Sequence, residues 1–180
     1  MSSKPACRRQ PSVVSQQQPP PTSLIYWDYR RGEPAMFQHI LIATDGSQQA
    51  EQGVTHALAL AKSLGAKVTA VTATDMMPTG PYAPIPWPAD IDRYEAAAAA
   101  SANLILDRVV VAAKAQGVVC EARHIPDRLP AEAIIATAEQ QGCDLIVVGT
   151  HGRRGLATLL LGSQANEVVA LSRVPVLVCR

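Results

Sequence analysis

The sequence has no excess of charge of either sign: 16 Lys and Arg stand against 15 Asp and Glu, a formal net charge of +1. No long-range field is available to gather nucleic acid, a membrane surface or an acidic substrate, so any partner has to be recognised locally. Paired cysteines are missing as well. Cys7, Cys120, Cys143 and Cys179 lie far apart and form no C-x-x-C. Neither a structural zinc site nor a disulfide framework is expected, and the cytoplasm is the compartment that fits. The longest apolar runs fall short of the ~20 residues that a membrane helix needs, so no membrane span is expected.

Residues 1–35 lack apolar periodicity. "SSKPACRRQPSVVSQQQPPPTS" is built of Pro, Gln and Ser, a composition that buries too little surface to offset the entropy of ordering, and a disordered tail is expected. Arg8-Arg9 is not followed within reach by a hydrophobic stretch, so a twin-arginine export signal is not expected. Tyr26, Trp27 and Tyr29 read as a sticky end of that tail. Met36 stands directly before the first strand and is an alternative start.

From Phe37 onward strands and helices alternate. "HILIAT" (39–44) is an unbroken apolar run that ends in Asp45-Gly46-Ser47, as a parallel strand buried on both faces runs into a helix cap. Ala50, Val54, Ala57, Leu58, Ala61 and Leu64 then form one stripe of a helix that stops at Gly65. "KVTAVTAT" (67–74) is a second, β-branched strand. The stretch from Asp75 to about Pro88 is loop, with five prolines between Pro78 and Pro88. A long helix follows from about Asp90 to Gln116, with Ile91, Tyr94, Ala98, Ala102, Ile105, Val109 and Ala112 recurring at three and four residues.

"VVCEARH" (118–124) alternates apolar with charged residues, as an edge strand with one wet face would. Pro130 opens a helix that buries Ile134, Ile135 and Ala138 and closes at Gly142. "CDLIVVG" is a buried strand, "SQANEVVALS" a helix capped by Ser163, and "VPVLVC" a last strand. Such alternation with right-handed crossovers demands a mostly parallel sheet with helices on both faces. Its generic binding place lies at the carboxyl ends of the strands, where the chain order reverses.

"GTHGRRGLATLLLGSQANEVV" (149–169) sits at such an end. Gly149 lets a ligand approach the backbone closely, and Gly152 can take a positive φ that turns successive N–H groups into one concavity suited to anionic oxygens. Gly162 and Ser163 open the next helix, whose first-turn amides and dipole favour a phosphate. Nine residues lie between Gly152 and Gly162, enough to arch over a triphosphate within reach of Arg153 and Arg154. Bare turns and a capping serine would account for two of these glycines, though less well for the whole spacing. No G-K-[ST] occurs, so this is not a Walker A loop, and no G-x-G-x-x-G follows the first strand.

G-x2-G-x9-G-[ST], as Gly149, Gly152, Gly162 and Ser163, resembles the nucleotide-binding signature of the universal stress protein family. "ILIATDGS" and "VPVLV" resemble its first and last strands, and the similarity covers about Met36 to Arg180. The resemblance implies a three-layer α/β/α sandwich on a five-stranded parallel sheet of order 3-2-1-4-5, of the adenine nucleotide alpha hydrolase-like kind. It also implies that Asp45, with Ala43 and Thr44, contacts the nucleoside. Ala73 would offer backbone groups to adenine and Val148 would line its pocket, while Gly149, Gly152, Arg153, Gly162, Ser163 and Gln164 would surround ribose and phosphates. "HIPDRLPAEAI" lacks a glycine that members often carry before Pro-Ala-Glu.

The expected cofactor is ATP. Asp45 could help to hold Mg2+ on the phosphates, although one carboxylate is a poor site without the nucleotide's own oxygens. His151, inside the loop, reads as incidental. A backbone cradle binds ground and transition states about equally, so at most slow ATP hydrolysis is expected. The leading reading is an ATP-binding stress-response signalling module whose nucleotide state modulates contacts with unknown protein partners. The alternative is a nucleotide-free dimeric scaffold on the same fold. An adenylylating transferase would carry His-x-Gly-His or Ser-Gly-Gly-x-Asp-Ser, and neither is present. The last strand, apolar on both faces and at an edge in the implied order, invites a homodimer.

Overall fold

The computed structural model describes residues 37–75, 87–150 and 161–180. The described chain runs β1 (His39–Ala43), α1 (Gln48–Leu64), β2 (Lys67–Thr74), α2 (Pro88–Gln116), β3 (Cys120–Pro126), α3 (Pro130–Gln141), β4 (Leu145–Gly149), α4 (Ser163–Leu171) and β5 (Val176–Cys179). All strand pairs are parallel, and the sheet order is β3-β2-β1-β4-β5, the order that the family resemblance implies.

Strand periodicity sends alternate residues to two separate cores. Ile40, Ile42, Val68, Ala70, Leu145 and Val147 meet the inner faces of α1 and α2. Leu41, Val71, Ile146 and Val148 meet Ala131, Ile134 and Ala138 of α3 with Ala165 and Val168 of α4. The unbroken apolar runs of β1 and β4 follow from this, because both faces of each strand are covered.

α1 begins where the sequence places it: Ser47 is the cap, its hydroxyl accepting from Ala50 N at 3.2 Å, and each of α1, α2 and α3 ends on a glycine in the left-handed region. Four local expectations need correction. α2 starts at Pro88 rather than Asp90, since proline has no N–H to lose at a first helical position. Its apolar stripe is fully buried only from Ala102 onward; Ile91, Tyr94 and Ala98 are partly buried. β3 runs two residues later than expected, Cys120–Pro126. Ser163 is the first helical residue of α4 and not its cap; Gly162 holds that position, with no side-chain cap bond.

Length and composition alone would also let α2 cross a bilayer, contrary to the reading from run lengths. In the fold Ala102, Ile105, Leu106, Val109 and Ala113 of α2 are packed into the sheet core, which is how the inner helix of a layered domain behaves.

Candidate functional site

The site is set by where the central strands stop. β1 pairs with β2 as far as Ala43↔Val71, and one more bond, Thr44 N to Val71 O at 3.0 Å, closes the ladder. In a parallel ladder every second residue aims both its N–H and its C=O at the same neighbour. Lys67 N donates to Gln38 O on the β1 side, whereas Val68 N donates to Val119 O on the β3 side. The odd-numbered residues of β2 therefore face β1, and Ala73 is the next of them after Val71.

At Ala73 the chain of β1 has already turned away. Thr44 O, the acceptor Ala73 N would otherwise use, receives the Thr72 hydroxyl at 2.9 Å. Gly46 N, the donor that would reach Ala73 O, points to Thr44 Oγ1 at 3.2 Å. Among the described residues the β1 ladder thus does not reach Ala73, and its main-chain donor and acceptor lie side by side on the β1-facing edge of β2, the pattern that the edge of a purine base complements.

Asp45 and Gly46 form the floor of the turn. Asp45 Oδ1 accepts from Ser47 N at 3.0 Å, which fixes the carboxylate at the start of α1. Gly46 has φ +74, and a Cβ there would stand 2.9 Å from Ile105 Cγ1, so both backbone conformation and the packing of α2 require glycine. Arg108 reaches Glu51 across the same corner at 2.9 Å, with both side chains more than half exposed, a pair that contributes little.

Gly149 ends β4 beside this turn. The β1–β4 register, Ile40↔Leu145 to Ile42↔Val147, brings Thr44 level with Gly149 when continued two residues. A Cβ on Gly149 would meet Gln49 O at 3.0 Å and Ala50 Cα at 3.2 Å. Close approach of the first turn of α1 thus favours glycine here, a packing reason that stands beside the ligand approach expected from sequence. Thr150 N then donates to Cys179 O at 2.8 Å, and Thr150 O accepts from Gly162 N at 2.8 Å. That last bond ties the base of the glycine loop together and brings the start of α4 to the end of β4.

Of the residues singled out in the sequence, the structure gathers Ala43, Thr44, Asp45, Ala73, Gly149, Gly162 and Ser163 around the carboxyl ends of β1, β2 and β4. Val148 is at that end too, but its side chain is buried in the α3–α4 core. The amide of Gly162 is engaged by Thr150; the donors that helix geometry leaves without an intrahelical acceptor are those of Ser163, Gln164 and Ala165. Gln164 turns its side-chain oxygen away, accepting from Ala131 N of α3 at 3.0 Å. Gly152, His151, Arg153 and Arg154 lie outside the described residues, as do Pro78 to Ile85. Among the described residues no cluster of His, Cys, Asp and Glu is placed to hold a metal ion.

Sequence reasoning missed Thr72, Thr150 and the part played by Gly46. A Thr at the end of each central strand and the Asp-Gly-Ser turn were visible. What each hydroxyl or φ angle satisfies depends on the neighbouring strand.

The model of the universal stress protein family matches residues 36–180. A universal stress protein of Thermus aquaticus is 36% identical over 145 residues, covering 81% of this chain and 100% of its own. Among solved structures, a universal stress protein from Lactobacillus plantarum superposes with a TM-score of 0.71 at 24% identity, over 82% of this chain and 100% of that one. A universal stress protein solved in complex with cAMP superposes with a TM-score of 0.58 at 27% identity, over 81% and 98%. The chain belongs to the universal stress protein family.

Proposed function

We propose that this chain is a cytoplasmic ATP-binding module of stress-response signalling, in which the bound nucleotide alters the loop between Thr150 and Gly162 and with it the surface offered to protein partners. The observation that carries the reading is the termination of β1 one pairing step before Ala73. On this reading the Ala73 donor and acceptor, which the β1 ladder does not reach among the described residues, face Gly149, Thr150 and the amino end of α4 across the end of β1. Adenine reads the Ala73 edge, and Ala43 and Thr44 flank it. The phosphates lie toward Ser163, where first-turn amides and the helix dipole favour negative charge.

The cAMP complex of the related protein supports the adenine half of this reading. Gly152 belongs to the phosphate half through the sequence signature, and Arg153 through its charge directly after it. Mg2+ would enter with the phosphates, Asp45 being the carboxylate at hand. A main-chain cradle holds ground and transition states about equally, so the module holds ATP and hydrolyses it slowly at most.

Calorimetric titration of the purified full chain with ATP tests the reading. Binding is expected, with Gly152→Val abolishing it and Ser163→Ala weakening it about ten- to a hundredfold, as for the loss of one hydrogen bond to a charged group. No heat and no saturation at millimolar ATP would leave the nucleotide-free scaffold as the account.

A further inference from the structure

Gln164 follows the Gly162-Ser163 pair of the loop signature directly, yet its side chain serves another helix. The first turn of α3 is short of partners: Pro130 at its first position has no N–H, Leu129 at the cap offers no side-chain acceptor, and Ala133 N is bonded to Leu129 O at 3.0 Å. Two first-turn amides remain, those of Ala131 and Glu132, and Ala131 is fully buried. Gln164 Oε1 meets the Ala131 amide at 3.0 Å from a position 33 residues away in sequence. A cap that helices normally draw from their own preceding residue is here supplied by α4.

Both ends of that bond are strategically placed. Upstream, α4 begins at Gly162, which is pinned to Thr150 at the end of β4. Downstream, α3 is entered through the corner Asp127-Arg128-Leu129, where Asp127 holds φ 55 and Leu129 is 55% exposed. This corner follows β3 directly, and β3 pairs with the end of β2 through Ala73↔Ile125.

We infer that Gln164 is a latch, a positioning residue through which occupation of the amino end of α4 sets the order of the first turn of α3 and of the corner Asp127–Leu129. The inference rests on the nucleotide-binding reading above and names its regulation. A polyanion held by the first amides of α4 suppresses fraying of that turn, and so keeps the Gln164 carbonyl on Ala131 N. By linkage the latch and the ligand strengthen one another by the same factor. The corner with Leu129 and Arg128 becomes the surface whose order reports the nucleotide.

Hydrogen exchange resolved at single amides, on the full chain with and without saturating ATP, tests this. In the wild type, ATP should raise the protection of Ala131 and Glu132 together with that of Gln164 and Ala165. Gln164→Leu should lower Ala131 protection in the free protein about two- to tenfold, the worth of one hydrogen bond, and remove its response to ATP. Gln164→Glu, which keeps an acceptor oxygen over the amino end of α3, should restore the protection in the free protein. If ATP binds and protects α4 but leaves α3 unchanged, or if Gln164→Leu responds as the wild type does, the latch is refuted and the nucleotide reading stands. If calorimetry shows that the wild type binds no ATP, both fall together.

Discussion

Replacing Gly149 by alanine separates two roles for that glycine. A methyl group would stand 3.0 Å from Gln49 O, 3.2 Å from Gln49 C and 3.2 Å from Ala50 Cα. All three are backbone atoms of the first turn of α1, so no side chain can swing aside. Relief requires α1 to move outward by a few tenths of an ångström. α1 carries Val54, Ala57, Leu58 and Ala61 in the main core, so the shift loosens contacts along its length. Overpacking of this kind costs about 1–3 kcal/mol. For a domain of this size each kcal/mol lowers Tm by about 2–4 °C, so a fall of about 2–12 °C is expected. The loss should appear in protein stripped of small molecules, in thermal unfolding followed by circular dichroism. A glycine needed only for ligand approach would behave oppositely, with an unchanged Tm for the stripped protein and a lost affinity for ATP. That pattern would refute the packing argument.

Stability should also fall as the solution is acidified below neutrality. Burial foremost, and then the charge of Lys67, hold the His39 imidazole below its ordinary value of 6.5, so between that lowered pKa and 6.5 the unfolded chain carries a proton that the native state refuses. The urea midpoint should be lower at pH 5.5 than at pH 7.5, with His39→Gln narrowing the difference; His124, depressed by burial as well, supplies a remainder of the same sign. An equal pH dependence in the variant would overturn the assignment to His39. The outer edge of β5, with Leu177 38% exposed between Val176 and Val178, should pair with a second copy. Sedimentation should show a dimer for the full chain and a monomer for Leu177→Arg, and a monomeric full chain at tens of micromolar would refute it.

The layers of the fold were legible because strands buried on both faces must read as continuous apolar runs, as "HILIA" and "LIVVG" do, and because α1 carries its apolar residues on one stripe. The charged alternation of β3 marked it as an edge before any pairing was known. Periodicity was less informative where it outran its partner. The three- and four-residue spacing of α2 continues back through Ala98, Tyr94 and Ile91, and nothing local says that full burial begins only at Ala102. Site residues divide in the same way. Asp45 and Ser163 stand out by type and position, whereas the packing role of Gly149 is invisible in sequence, since the helix that crowds it is about 100 residues earlier in the chain. Gln164 looked like part of the glycine loop because it adjoins Ser163, and its partner Ala131 belongs to a helix whose missing cap only the assembled fold reveals.

The crevice is built by two devices of different stiffness, and on the nucleotide-binding reading this divides the work of recognition. The Ala73 groups are held by β2, which is hydrogen-bonded along β3 from Val68 to Thr74 and secured at its end by the Thr72–Thr44 bond. They pay no ordering cost when a base docks, so the adenine contribution is already in place in the empty protein. The phosphate side depends on the first turn of a nine-residue helix, anchored at its base by Gly162 N to Thr150 O and braced sideways by Gln164. A turn of that length is marginal without tertiary support, so its order is what a phosphate can change. AMP, ADP and ATP would then share one base-reading interaction and differ in how far they stiffen α4. The energy that distinguishes them is spent at the same place from which the latch reaches α3.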